Sequence, residues 1–242
     1  MFTEVLDTSL LIASSVAFVS AAIQGYSGFG GGLVIVPILA ILFGPLEAVA
    51  VAAVSALLGN IIMWPDAIKK VHWPEAIPVS IGIAVAIPIG LIFLTTADPG
   101  VIRTGMGVFI LIAAGLLISG WLYKGGRNKL TSILAGLCTG GIMGSFGMPA
   151  GPIMVIYYMS APVEPQVQRA NIVISVGVVL VFMMCGLYFN GAYHETTIAR
   201  AIVIAPIFMA GAWIGSYLFQ IAPVSWFKKI TYAILIVTGI SI

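Results

Sequence analysis

Charged side chains are scarce in this sequence, where Lys, Arg, Asp and Glu together make up 7% of 242 residues. A soluble domain carries roughly 25% charged residues, so this chain has too few to cover a surface that faces water. Hydrophobic residues make up 61%, and the mean hydropathy is +1.16. Apolar runs recur at about the 20 residues that cross the hydrocarbon core of a bilayer. The composition therefore predicts an all-α polytopic membrane protein.

Cysteine and histidine are scarce too, with two residues of each. Cys138 and Cys185 lie in apolar segments, where a cysteine ordinarily packs as a small hydrophobe. The sequence contains neither a CxxC pair nor a cluster of His and Cys, so we expect no disulfide, no metal site and no cofactor. His72 and His194 both lie in loops among charged neighbours.

Acidic residues are missing from the interior of the apolar segments. Glu47 and Glu164 stand at segment starts, and the other acids lie in loops. Cation and proton pumps usually carry an acid or a histidine in mid-membrane. The net charge of +2 arises from Lys and Arg gathered in short loops, a pattern typical of membrane topology and not of nucleic-acid binding.

The spacing of the apolar segments indicates a single membrane domain. No interval between them is long and polar enough to form a soluble domain. The segments run approximately over 8–24, 33–43, 46–64, 75–95, 101–121, 130–143, 151–161, 166–190, 197–219 and 225–242.

The two halves of the chain resemble each other. A shift of 119 residues brings three glycines of the stretch GYSGFGGGL onto three glycines of GSFGMPAGP. The superposed pairs are Gly25 with Gly144, Gly28 with Gly147, and Gly32 with Gly151. A shift of 117 places Pro45 to Glu47 on Pro162 to Glu164. We therefore expect the domain 1–242 to consist of two repeats, about 1–124 and 125–242.

The region 8–43 is too long for one membrane crossing. As a continuous helix it would measure about 54 Å, against a hydrocarbon core of about 30 Å. The glycine-rich stretch within it therefore predicts a broken-helix hairpin that enters and leaves on one side, and 130–161 shows the same pattern. Three transmembrane helices should follow each hairpin. Because three is odd, the second repeat should be inverted relative to the first, as in many secondary transporters.

The two hairpins would divide the basic residues unequally, leaving only Arg103 and Arg200 on one face. The other face would receive Lys69, Lys70, Lys124, Arg127, Lys129, Arg169, Lys228 and Lys229. Single crossings in place of hairpins would divide them six to four, so the positive-inside rule favours hairpins. Both termini are then expected outside the cytoplasm.

The glycine-rich breaks place non-helical backbone at membrane depth, which is tolerated only inside protein or beside a polar cavity. The helices that begin near Leu33 and Gly151 should carry unpaired N–H groups and a partial positive charge at their starts. If inversion brings the two starts together, they form an anion site, because glycine lets a ligand approach the backbone closely. The alternative is that the glycines only allow close packing of helices.

Arg169 is followed at once by an apolar segment, in QVQRANIVIS. Its guanidinium could pair with a carboxylate or sulfonate through two hydrogen bonds, or it could anchor the helix at the membrane interface. Four polar residues on the helices after the hairpins could donate to the same anion or join neighbouring helices. They are Ser55, Asn60, Asn171 and Ser175.

A catalytic interpretation has less support. The sequence GYSG around Ser27 is similar to the Gly-x-Ser-Gly of rhomboid proteases, whose serine needs a histidine within the membrane. An HExxH motif, paired aspartates and a P-loop are all missing. We therefore expect that the protein is not an enzyme.

Two glycine-rich stretches, GFGGGLVIVPIL and GSFGMPAGPIMVIYYM, are each followed by a proline-containing turn and a helix dotted with polar residues. In these motifs, in length and in its two-repeat plan, the chain resembles the sulfite exporter TauE/SafE family over nearly its whole length. The resemblance implies a transporter of sulfite or of organosulfonates such as sulfoacetate, usually directed outward across the bacterial inner membrane. The run Met148-Pro149-Ala150 departs from the glycine run of the first stretch.

A sulfonate suits the expected anion site because its three oxygens accept several N–H donors at once. The expected backbone donors are Gly28, Gly30, Gly31, Gly32, Met148, Ala150 and Gly151. The expected side-chain partners are Gln24, Tyr26, Ser27 and Ser145, with Arg169 and Asn171 supplying a charge and an amide. An anion-selective channel and a membrane assembly factor without a transported substrate are the alternatives.

The division of basic residues predicts the topology. A reporter fused after Ile242 should be extracytoplasmic, and one inserted in the 124–129 loop should be cytoplasmic, because basic loops remain inside. Alkaline phosphatase and fluorescent-protein fusions measure the two positions. A cytoplasmic reporter after Ile242 would contradict the two hairpins.

Overall fold

The computed structural model describes residues 8–119, 121, 123–149, 151–160 and 162–221, and its regular elements are all helices. They are α1 Thr8–Ser27, α2 Gly31–Phe43, α3 Pro45–Ile61, α4 Trp64–Lys70, α5 Trp73–Thr96, α6 Pro99–Ser119, α7 Lys129–Phe146, α8 Gly151–Tyr158, α9 Pro165–Phe189 and α10 Glu195–Ile221. The crossing expected over 225–242, with Lys228 and Lys229, lies outside the described residues.

Five helices are long and apolar enough to cross a membrane, namely α1, α5, α6, α9 and α10, and the bent pair of α3 and α4 makes a sixth if it counts as one span. The helix α2, with 13 residues, measures about 20 Å and is too short to cross. These lengths confirm the all-α polytopic membrane protein that the composition predicts.

A short helix, α4, forms between the apolar segments predicted over 46–64 and 75–95. Pro65 stands in its first turn, where the missing N–H costs nothing, together with Asp66. Lys69 and Lys70 stand in its last turn. The acid at the start and the lysines at the end therefore stabilise the helix through its dipole. The axis of α4 turns by 65° from that of α3.

Glycines join α5 and α7 into a closely packed pair. A methyl group added at Gly136 would lie 2.1 Å from the carbonyl oxygen of Val79, and one at Gly144 would lie 2.7 Å from that of Ile87. The contacts advance together along both helices, so α5 and α7 run in the same direction. The glycines let the two backbones approach each other, as small residues do in membranes.

The same arrangement joins α1 to α10. A methyl group at Gly211 would lie 2.4 Å from the carbonyl oxygen of Phe18, and one at Gly215 would lie 2.0 Å from that of Ala22. These helices therefore also run in the same direction. Each of the two parallel pairs combines the first helix of one half of the chain with a later helix of the other half.

Contacts at the helix ends define two faces of the protein. Glu47 at the start of α3 pairs with Arg200 near the start of α10, while Gly59 near the end of α3 packs against Phe208 farther along α10. Helices α1, α3 and α10 thus run in one direction, and we call the face where they begin the first face. Because α1 and α3 both begin there, the chain must return to it between Ser27 and Pro45.

Helices α5, α7 and α9 begin at the opposite, second face. Asn171 near the start of α9 donates to Glu75 in the first turn of α5, and Glu75 pairs with Arg127, two residues before α7. The end of α8 lies here too, because the hydroxyl of Tyr157 is 2.7 Å from that of Ser132 in the first turn of α7. The chain that enters through α7 therefore returns through α8 to the same face.

The packing of α5 on α7 predicts a difference between two glycines of one helix. Gly136→Ala should lower the free energy of unfolding by about 1–3 kcal/mol, because its methyl group meets backbone that cannot yield easily. Gly141→Ala is the matched control, since a methyl group there meets nothing within 4 Å. Thermal unfolding of the purified proteins in detergent measures the melting temperatures of both variants. Equal melting temperatures would contradict the close packing of α5 against α7.

Candidate functional site

The two glycine-rich breaks meet inside the protein. A methyl group at Gly32, in the first turn of α2, would lie 2.2 Å from Cγ of Pro149 in the second break. A methyl group at Gly151, the first residue of α8, would lie 2.9 Å from Cδ2 of Phe29 in the first break. The start of each short helix thus faces the break that precedes the other.

The superposed glycines have the same roles in both halves of the chain. Gly25 and Gly144 each abut the backbone of a neighbouring parallel helix, which is the packing role expected of small residues. Gly28 and Gly147 have positive φ angles of 83° and 64°, a left-handed conformation that L side chains rarely adopt. The third pair, described above, lies where the breaks touch.

A cavity of about 40 Å³ lies between the breaks, enough for about three water molecules. Its lining includes side chains of α2, α3 and α9 as well as the breaks, and most of these are apolar. The lining residues are Gln24, Phe29, Gly30, Gly32, Ile35, Val36, Val49, Ala52, Ala53, Ala56, Met143, Gly147, Pro149, Gly151, Met154, Val176, Val179 and Leu180.

Gln24 is the polar side chain of this lining, and it is only 3% exposed. Its Nε2 has no hydrogen-bond partner within the described part of the chain. An unpaired polar group in a buried position costs about 1–3 kcal/mol. The amide of Gln24 therefore presents a donor whose acceptor is not supplied by the described residues.

Backbone N–H groups at the start of α2 add to this donor. Leu33 donates to the carbonyl oxygen of Gly30 at 3.1 Å, whereas Gly31 and Gly32 stand too early in the helix for a partner four residues back. The start of α8 is poorer in donors, because Pro152 has no N–H. The first break is therefore the richer source of donors.

The predicted site residues divide into those at the cavity and those elsewhere. Gln24, Gly30, Gly32 and Gly151 line it. Gly28, Gly31 and the buried Met148 lie in or beside the breaks without lining the cavity, and Ala150 lies outside the described residues. A methyl group at Gly31 would lie 2.4 Å from the carbonyl oxygen of Ser20, so a substitution there would disturb packing as well as any ligand.

Three residues predicted as side-chain donors of the breaks lie at local or helix-to-helix contacts. The hydroxyl of Ser27 donates to the carbonyl oxygen of Ile23 at 2.7 Å and accepts from the N–H of Phe29 at 3.2 Å. The ring of Tyr26 meets that of Phe219 edge-on, with ring centroids 5.7 Å apart. The third donor belongs to Ser145, and the backbone there packs against Gly90 of α5.

Arg169 holds the end of α1. Its Nη2 donates to the carbonyl oxygen of Gly25 at 2.6 Å, and its Nε donates to that of Tyr26 at 3.2 Å. The guanidinium also stacks 4.3 Å from the ring centroid of Phe219. Carbonyls at a helix end lack intrahelical partners, so Arg169 satisfies backbone beside the first break and does not line the cavity.

The remaining polar residues bond within the helix bundle. Asn60 donates to the carbonyl oxygen of Val173 at 3.2 Å, and Ser55 donates to that of Val51 at 2.9 Å. The other two, Ser175 and Asn171, contact the hydroxyl of Tyr158 at 2.8 Å and the carboxylate of Glu75 at 3.3 Å, respectively. None of the four lines the cavity.

The apolar lining contributed by α3 and α9 was not predicted from the sequence. Small residues in the run AVAVAAVSA of α3 are the available signal, because they leave room beside a helix. Ala52, Ala53 and Ala56 from this run line the cavity. On α9 no comparable run of small residues marks Val176, Val179 and Leu180.

A family model described as Sulfite exporter TauE/SafE matches residues 13–242. The chain belongs to the sulfite exporter TauE/SafE family. This confirms the resemblance found in the glycine-rich motifs, and it indicates a membrane transporter of sulfur-containing anions. No curated protein and no solved structure matches the chain.

The contacts of Arg169 predict that Arg169→Lys lowers the melting temperature even without a ligand. An ammonium cannot reach two carbonyls with the geometry of the planar guanidinium, and a hydrogen bond from a charged donor contributes about 1.5–3 kcal/mol. Arg103→Lys is the control, since Arg103 makes a single 3.3 Å bond to the carbonyl oxygen of Ala40. If Arg169→Lys melts at the same temperature as the parent protein, the role of Arg169 in satisfying the carbonyls at the end of α1 is contradicted.

Proposed function

We propose that the protein is a secondary transporter that exports small sulfur-containing anions, with an organosulfonate such as sulfoacetate, or sulfite, bound between the two breaks. The buried, unpartnered Nε2 of Gln24 is the observation that carries the proposal. It lies beside the start of α2, whose free N–H groups and dipole favour an anion. Within the described part of the chain, no acceptor is recorded for the Gln24 amide or for the first N–H groups of α2, and sulfonate or sulfite oxygens are suited to accept from them.

The lining of the cavity supports this substrate class. The oxygens of an organosulfonate can meet Gln24 and the start of α2, while the short carbon chain contacts apolar residues such as Ala53 and Val176. Among the described residues, no Lys or Arg lines the cavity, so neutral donors would hold the anion. Such a site can bind an anion without holding it too tightly to release. The cavity would have to expand for an anion larger than about three water molecules.

We also propose that the two halves form inverted repeats, each a broken-helix hairpin followed by transmembrane helices. The helix directions support this, because α1 and α3 begin at the first face while their counterparts α7 and α9 begin at the second. Inversion would place the two broken helices at the middle of the membrane, which is where such repeats bind substrates.

The distribution of charge supports insertion in a bacterial inner membrane with both termini outside the cytoplasm. Among the described residues, Arg103 and Arg200 lie toward the first face, and Lys69, Lys70 and Arg127 toward the second. The second face would then be cytoplasmic. A catalytic role is not proposed, because the hydroxyl of Ser27 is engaged with the backbone of its own turn.

Ligand-dependent unfolding tests the proposal. Purified protein should melt at higher temperature with sulfite or sulfoacetate, because a ligand at 100 times its Kd stabilises by about 2.7 kcal/mol. Sulfate, thiosulfate, isethionate and taurine complete the panel. Proteoliposomes loaded with the stabilising anion should then release it. A panel without any stabilising anion would refute the proposed substrate class.

Gln24→Leu should abolish most of this stabilisation while leaving the protein folded. Loss of one hydrogen bond to a charged ligand, about 1.5–3 kcal/mol, corresponds to roughly a ten- to hundredfold weaker Kd. Without ligand the variant should melt no lower than the parent, since it removes an unpaired buried donor. Ser55→Ala is the matched control, because Ser55 is buried outside the cavity. Parent-like affinity in Gln24→Leu would exclude this amide from the site.

A further inference from the structure

We infer that two matched arginine clusters, one at each face, are the gates that close the cavity between the breaks. Each cluster joins an arginine to a glutamate at the start of a long helix and to an aromatic ring near the end of a short returning helix. This inference rests on the proposed transport function, and it assigns roles to residues outside the substrate site.

The first gate consists of Arg200, Glu47 and Phe43. Nη1 of Arg200 lies 2.7 Å from Oε1 of Glu47, in the first turn of α3. The guanidinium carbon is 3.9 Å from the ring centroid of Phe43, the last residue of α2. One side chain of α10 therefore holds both the end of α2 and the start of α3 at the first face.

The second gate consists of Arg127, Glu75 and Tyr157. Arg127 forms an ion pair with Glu75 in the first turn of α5 and donates to the carbonyl oxygen of Tyr157. Its guanidinium carbon is 4.6 Å from the ring centroid of Tyr157, near the end of α8. The arginine also donates to Ser160 at 2.5 Å. The end of the second returning helix is thus held at the second face in the same way.

Within the described ranges, Arg and Glu form two ion pairs, Arg200 with Glu47 and Arg127 with Glu75. The two pairs lie at opposite faces of the protein. Outside each lies an open cleft much larger than the central cavity. The cleft at the first face measures about 310 Å³ and includes Glu47, and that at the second face measures about 420 Å³ and includes Arg127. Each gate therefore stands at an open cleft, and the cavity between the breaks is lined by residues farther along the helices, such as Ala53 and Ala56 of α3.

The composition of the gates suits opening and closing. The side chains of both pairs are 13–22% exposed, so water can replace part of each interaction when it breaks. Partly exposed ion pairs and cation–π contacts each contribute on the order of 1 kcal/mol. Breaking one gate would free the end of one short helix while the other gate kept the opposite face closed.

Labelling of a single cysteine tests the gates without a substrate. Ala53→Cys, in the cavity lining, is introduced after Cys138 and Cys185 are replaced by alanine. Proteoliposomes of known orientation are treated with a membrane-impermeant anionic methanethiosulfonate, either outside or sealed inside. With both gates intact, labelling should be slow from either face.

Glu47→Gln should raise the labelling rate about tenfold from the first face only. A tenfold change in the equilibrium between the closed and open gate corresponds to about 1.4 kcal/mol. Glu75→Gln should do the same from the second face only. Asp66→Asn is the control, since it removes an exposed ion pair with Lys70 that holds no returning helix. Charge reversal, Glu47→Arg with Arg200→Glu, should restore slow labelling.

Parent-like labelling of either glutamine variant from its own face, or faster labelling from the opposite face, would overturn the inference. If a glutamine variant fails to insert, the charge-reversed pair decides, because it must both insert and label slowly. A protein that binds no sulfur anion would refute the proposed substrate class, while the labelling pattern would still decide the gates.

Discussion

Backbone groups that lose their helical partners inside a membrane protein must find other partners, because lipid offers none. The fold of this protein is arranged around two places where that loss occurs. At the end of α1, the carbonyls of Gly25 and Tyr26 accept from Arg169. At the end of α7, the N–H of Gly147 donates to the carbonyl of Met143 at 2.8 Å. Two carbonyls at the end of α1 are thus satisfied by a side chain of the protein, and the N–H groups at the start of α2 would be left for the proposed ligand.

Close packing of parallel helices fixes where those breaks lie. We call the contact of α5 with α7, and that of α1 with α10, a seam. Glycines form both seams, and the nearest atoms to these glycines are backbone atoms of the facing helix. Such seams leave little freedom to slide, because a shift by one residue would replace glycine with a side chain. A rigid frame of parallel helices therefore surrounds two short helices that are held at their outer ends mainly by side chains.

The sequence predicted the parts of this structure that depend on composition and on glycine. Hydropathy identified the helices, and the superposed glycines of GYSGFGGGL and GSFGMPAGP located both breaks. The cavity lining from α9 could not be predicted, because an apolar helix in a membrane gives no periodic signal for its inward side. The hydrogen-bond partners of Arg169 could not be predicted either, because these carbonyl groups lie 144 and 143 residues away along the chain.

The difference between the two breaks bears on how an anion would be oriented. At the first break, Gly30 and Gly32 line the cavity together with Gln24. Pro149 and Pro152 at the second break lack an N–H, and Pro149 lines the cavity with its ring. Oxygens with a full negative charge belong where the donors are, and a carbon chain belongs against apolar surface. An organosulfonate in the proposed site would therefore direct its sulfonate toward α2 and its carbon chain toward the second break and α9, so the departure from glycine in the second repeat would fit the two ends of one substrate.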